Sequence, residues 1–280
     1  MKIGVNSFLW TAKFGPSCFN ILPRVREYGF DAFEIPVFDP SKFDVHSIRK
    51  ELDANGLDCT ICAILPPGLS AIDGDSAVRA KTQEHLAQCV QLTADFGATL
   101  LSGPVYAPVG YLPGRRRTLD EWNWAVECFQ GLVPVLERNA VTLAIEPLNR
   151  FETFFLNTVS DAADLCDAVG HPRIGVLLDT FHANIEEKSI PEACRLLGHR
   201  LRHVHACEND RGIPGSGHVD FAGMVDVLNE TGYGGYLTIE SFGFNQPEIS
   251  AAAAIWRDLA PSPDAIAQEG AAFLRTLLAR

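Results

Sequence analysis

Short apolar runs alternate with longer amphipathic stretches from one end of the chain to the other. The runs read as strands at Ile3 to Ser7, Ala32 to Ile35, Leu57 to Ile64, Thr99 to Gly103, Thr142 to Glu146, Ile174 to Asp179, Leu201 to Ala206 and Tyr236 to Glu240. Between them, stretches such as Ile21 to Tyr28, Val45 to Asn55, Ala77 to Phe96, Leu119 to Arg138 and Ser160 to Ala168 carry the helical period. Gly29, Gly56, Gly97 and Gly170 follow four of these stretches, where a helix C-terminus favours glycine. After Pro261 and Pro263, the segment Ala265 to Leu278 predicts a last helix, with Asp264 as its N-cap. Eight βα units in 280 residues predict an α/β fold, a single-domain (β/α)8 barrel covering residues 1–280 with a C-terminal helix closing it.

Composition narrows the partners. Apolar residues make up 47% of the chain, which suits a large core, and no run approaches the roughly 18 to 20 apolar residues of a membrane span. The opening MKIGVNSFLW enters a strand at once and lacks the layout of a signal peptide. A net charge of −12 disfavours a nucleic-acid partner, because phosphate needs a cationic surface. Arg115, Arg116 and Arg117 read as a solvated loop. Eight cysteines without a secretion signal point to reduced thiols and a cytoplasmic protein. Cys59 and Cys62 form a CxxC, but residues three apart on a strand face opposite sides, so they read as core packing.

Four runs end in a side chain that can bind a cation: TLAIE in Glu146, VLLD in Asp179, RHVH in His205 and YLTIE in Glu240. Taken singly, a strand-end carboxylate is as readily a structural cap. In a parallel barrel, however, all strands point the same way and their C-terminal ends meet at one mouth. Three carboxylates and an imidazole at one point repel each other unless a divalent cation lies between them, and this hard donor set suits Mn²⁺, Co²⁺ or Mg²⁺. His203 shares a face with His205 but sits deeper, and His218 has no neighbour that gives it a role. Asp220 reads as a cap for the helix after it.

The words IEPLNRFE from Ile145, LDTFHANIEE from Leu178, HACENDRGIPGSG from His205 and IESF from Ile239 resemble the ketose 3-epimerases, a group within the xylose-isomerase-like TIM barrels. The resemblance runs nearly the whole length, to the terminal IWRDL. It implies one divalent metal ion, Mn²⁺ foremost, held by Glu146, Asp179, His205 and Glu240, with Glu146 and Glu240 also exchanging the proton at C3 of a free ketose through a metal-stabilised enediolate. It further implies that Glu152, His182 and Arg211 hold the sugar's oxygens near C1 to C3 and that Phe242 lines the pocket. Asn6 and Phe14 stand where the family commonly has an aromatic residue and a tryptophan against the distal carbons; Ile64 to Pro67 and Val105 to Pro113 also differ. His182 and Arg211 are expected on exposed strand-end loops. A homodimer or homotetramer with a small-molecule ketose as its only ligand class completes the expectation. The runner-up is an aldose–ketose isomerase or inosose-type dehydratase on the same barrel. An endonuclease IV-like nuclease would need further ligands where strands three and four end in Ile64-Leu65 and Ser102-Gly103.

Overall fold

The structure, a computed structural model, describes residues 1–244 and 246–280. Eight parallel strands close into a barrel in chain order, β1 pairing with both β2 and β8. The strands are β1 Lys2–Asn6, β2 Ala32–Val37, β3 Asp58–Ala63, β4 Leu100–Gly103, β5 Thr142–Ile145, β6 Ile174–Asp179, β7 Leu201–His205 and β8 Tyr236–Ile239. Around them lie α1 Ile21–Glu27, α2 Val45–Ala54, α3 Ser76–Asp95, α4 Leu119–Arg138, α5 Val159–Val169, α6 Thr180–Glu186, α7 Ile190–Leu197, α8 Phe221–Glu230, α9 Pro247–Ala252 and α10 Pro263–Leu278. The barrel and its order agree with the alternation read from the sequence. No helix among the described residues is long and apolar enough to cross a membrane.

Local chemistry sets the boundaries. Thr118 and Glu121 form a reciprocal capping box that starts α4. Gly170 ends α5 in the left-handed conformation at φ 72°, which costs glycine nothing. Asp220 accepts from the Gly223 amide and caps α8, as expected. Asp264 does not cap α10; Ser262 does, accepting from the Ala265 amide at 3.1 Å. The helix begins two residues earlier than its apolar period because Pro263 suits the first turn. Asp264 instead ties chain ends together, accepting from Trp10 Nε1 at 3.0 Å and Arg24 Nη1 at 2.7 Å.

The two-residue period of each strand divides the core. Outward residues such as Val5, Phe33, Ile61, Ile145, Val204 and Ile239 join the large cluster between sheet and helices. The inward set begins with a small separate cluster, Leu100, Ala144 and Leu177 with Tyr236 against it. Above it the interior turns polar, with Glu34, Thr60 and His203 no more than 1% exposed. The next inward positions toward the strand C-termini are Glu146, Asp179, His205 and Glu240.

Close packing at β4 helps place the first of these. The Glu146 amide donates to the Gly103 carbonyl at 3.1 Å. Gly103 has φ +123°, and a Cβ there would stand 2.2 Å from the Ala63 carbonyl oxygen. Gly103→Ala is expected to destabilise the protein by about 2 to 4 kcal/mol, through strain and overpacking together. Urea unfolding measures this, and an unchanged midpoint would contradict it.

Candidate active site

The barrel brings Glu146, Asp179, His205 and Glu240 together. One donor atom from each lies within 4.8 Å of the others, and all four residues are buried. His205 Nδ1 is the hub: it lies 3.4 Å from Glu240 Oε2, 3.8 Å from Asp179 Oδ2 and 3.9 Å from Glu146 Oε1. That nitrogen is buried without a hydrogen-bond partner. An orphaned imidazole nitrogen facing three carboxylates fits a divalent cation, because each atom offers a lone pair to the same point.

Each carboxylate is held differently. Asp179 caps α6 with Oδ1, accepting from the Phe181 amide at 2.7 Å, and turns Oδ2 to Arg211 Nη1 at 2.6 Å. Burial opposes its charge, but Arg211, His182 and His205 outweigh that and hold its carboxyl well below the usual range. Glu240 receives Arg211 Nη1 at 3.0 Å. Glu146 accepts no side-chain hydrogen bond from any described residue; His182 Nε2 stands 3.7 Å away. Burial, together with Glu240 and Asp179, pushes its proton affinity well above the usual carboxylate value despite His205.

Arg211 and His182 are 5% and 4% exposed, which corrects the expectation of exposed loops. The loop between β7 and α8 folds back over the mouth because Glu208 gathers it, its carboxylate accepting from the amides of Asn209, Gly215, His218 and Val219. Arg211 sits in this loop at φ 67°, a conformation that costs a non-glycine residue energy. Ser241 Oγ donates to its carbonyl at 2.6 Å. Its guanidinium lies 4.2 Å from the Phe181 ring centre and 5.2 Å from that of Phe242. Asp210, the sequence-adjacent acid, pairs with Arg257 instead.

These groups form one wall of a cavity of about 290 Å³, lined on the polar side by Glu146, Glu152, His182, Arg211 and Glu240. Phe8, Phe38, Phe242, Ile64 and Val109 face them from the apolar side. Asn149 Nδ2 donates to Glu152 Oε1 at 2.8 Å.

Two expected contacts are elsewhere. Asn6 lies at the inward end of β1 and is 0% exposed. Its Nδ2 donates to Glu34 Oε1 at 2.9 Å and its Oδ1 accepts from the Phe8 amide at 2.9 Å, so it supports the floor and presents Phe8. Phe14 packs outside the barrel, its ring 4.8 Å from that of Phe33, an outward residue of β2. Phe8 and Phe38 supply the aromatic surface instead. The sequence reading also missed Glu34, whose signal was a lone acid inside the apolar strand AFEIPV.

Comparison with known proteins places the chain in a family. Residues 22–277 match the xylose isomerase-like TIM barrel family. A Synechocystis protein named "Probable ketose 3-epimerase" is 36% identical over 98% of this chain and 96% of its own. An L-ribulose 3-epimerase of Mesorhizobium japonicum is 34% identical over 98% and 93%. The crystal structure of a D-allulose 3-epimerase from Methylomonas sp. superposes with a TM-score of 0.94 at 28% identity, covering 99% of this chain and 98% of that one.

His182 provides a direct check of the electrostatics. Burial drives its pKa down to about 4, although Asp179 opposes this. Nδ1 accepts from the Asn149 amide at 3.2 Å, and Nε2 lies 3.2 Å from Arg211 Nη2, which can only donate. In an NMR pH titration its ring resonances should stay fixed from pH 5.5 to 8 by the margin between that value and the usual imidazole range, about 6.5; a midpoint near 6.5 would contradict the burial argument.

Proposed function

The chain belongs to the xylose isomerase-like TIM barrel family and, within it, to the ketose 3-epimerases, and we propose that it inverts C3 of a free ketose of the D-allulose/D-fructose, D-tagatose/D-sorbose or ribulose/xylulose type. It is an isomerase acting on carbohydrates. The observation that carries the reading is the placement of two glutamates, Glu146 and Glu240, in one cavity wall beside Asp179 and an orphaned His205 nitrogen.

Glu146, Asp179, His205 and Glu240 would hold one divalent cation, Mn²⁺ in preference to Co²⁺ or Mg²⁺. When bound, it supplies positive charge opposite the C2 and C3 oxygens as negative charge grows there. The remaining steps belong to side chains. One glutamate takes the proton from C3 and the electron pair moves into a C2–C3 enediolate. The other glutamate, as its acid, returns a proton to C3 from the opposite face, so configuration inverts. Glu146 accepts no side-chain hydrogen bond from a described residue, which leaves its oxygens open to this exchange. Arg211 donates to the sugar oxygens near C1 to C3, His182 beside it helps hold them, and Glu152 accepts from a hydroxyl there. Phe8 and Phe242 cover the sugar and keep water from the enediolate.

Arg211 is the only cation among the described residues lining the cavity, and it is engaged by Asp179 and Glu240. This favours a free sugar over a sugar phosphate and argues against a nucleic-acid ligand. All eight cysteines are free, which supports a reducing compartment such as the cytoplasm. Phe151 and Trp256 are 71% and 79% exposed and border one surface cavity, which supports a homodimer or homotetramer that covers them.

Product analysis in D₂O tests the reaction. A panel of ketopentoses and ketohexoses incubated with Mn²⁺ should give C3 epimers carrying deuterium at C3, and a chelator should stop turnover reversibly. Glu146→Gln and Glu240→Gln should each lose about 10² to 10⁴-fold in kcat, the scale of general acid–base catalysis. An aldose product labelled at C2 would instead assign an aldose–ketose isomerase.

A further inference from the structure

Behind His205, on the side away from the cavity, lies a fourth acid that the proposed chemistry does not use. Glu34 of β2 is 0% exposed, and its carboxylate is saturated by four donors. Asn6 Nδ2 at 2.9 Å and His205 Nε2 at 2.8 Å meet Oε1. Thr60 Oγ1 at 2.9 Å and His203 Nε2 at 2.8 Å meet Oε2. We infer that Glu34 is the positioning residue of the metal centre: it fixes His205 in the Nε2–H tautomer and so turns the Nδ1 lone pair toward Glu146, Asp179 and Glu240.

A neutral imidazole carries one N–H, and its partner on the other nitrogen selects which one. An ionised carboxylate only accepts, so Nε2 must be the donor at 2.8 Å from Glu34. In the neutral ring Nδ1 then carries the lone pair, and it faces the three carboxylates at 3.4 to 3.9 Å without a hydrogen-bond partner. The carboxylate cannot swing away, because Asn6 and Thr60 bind it from β1 and β3 and His203 binds its second oxygen from β7. The same geometry decides between two possible ion sites. Glu34, Cys62 and His205 also cluster, through Nε2 rather than Nδ1. Nε2, however, is already donating to Glu34, so that cluster lacks a nitrogen lone pair for a cation.

This inference rests on the reading that the carboxylate cluster holds a cation, and its test does not depend on turnover. Protein with ¹⁵N-labelled histidine, free of metal and above the pH at which His205 loses its second ring proton, should show a pyrrole-type Nε2 and a pyridine-type Nδ1 for His205, assigned by its loss in His205→Gln. Calorimetric Mn²⁺ binding should weaken about 10- to 100-fold in Glu34→Ala, the usual effect of removing such a partner, and its His205 signals should move to values averaged over both tautomers. Glu34→Gln keeps the shape and an acceptor, so it should fold, keep the tautomer and lose less affinity; it decides the matter if the alanine variant does not fold. A neutral His205 ring with its proton on Nδ1 in the wild type, or wild-type Mn²⁺ affinity in folded Glu34→Gln and Glu34→Ala, would overturn the inference alone. No Mn²⁺ uptake by the wild type would overturn it together with the cation reading.

Discussion

Three carboxylates that share one buried point would repel one another, and the site is organised around that repulsion. Glu146, Asp179 and Glu240 are each at most 5% exposed, so water cannot screen them. The protein answers with one fixed positive charge, Arg211, which bonds to Asp179 and Glu240, while Nδ1 of His205 faces all three carboxylates. Glu146 receives the least compensation, and burial with two neighbouring carboxylates raises its proton affinity. The result is a carboxyl, Glu146, that holds a proton tightly beside one, Asp179, that holds charge, which is the asymmetry a proton-transfer site needs.

Supporting that arrangement explains features that otherwise look costly. The middle of the barrel is filled by Glu34, Thr60 and His203 rather than by branched apolar residues. Arg211 is held in a left-handed conformation by a loop whose amides converge on Glu208. Gly103 lets β4 approach β3 closely where the Glu146 backbone is anchored. Each device spends stability to fix the direction of one polar group near the cavity, so the rigidity of the barrel serves the geometry of the site.

The parts legible in the sequence were those with a local signal. A two-residue period ending in an acid or imidazole identifies Glu146, Asp179, His205 and Glu240, because alternation alone assigns such residues to one face. Glycines after helical periods mark ends for the same local reason. Tertiary effects were not legible. Asn6 shares the inward face, but its partner Glu34 lies 28 positions away, so a supporting role could not be separated from a substrate contact. Phe14 turns outward because Phe33 offers it a stacking partner. Burial of Arg211 depends on a loop folded by Glu208, and Ser262 rather than Asp264 caps α10 because Asp264 is taken by Trp10 and Arg24.

The central claim is that the four convergent groups form a single cation site facing the cavity. A crystal grown with MnCl₂ and measured at the manganese absorption edge tests it most directly. One anomalous peak is expected, bonded to Glu146, Asp179, Glu240 and Nδ1 of His205, with Nε2 still on Glu34. A peak on the Nε2 side between Glu34 and Cys62, or manganese bound only away from these residues, would contradict it.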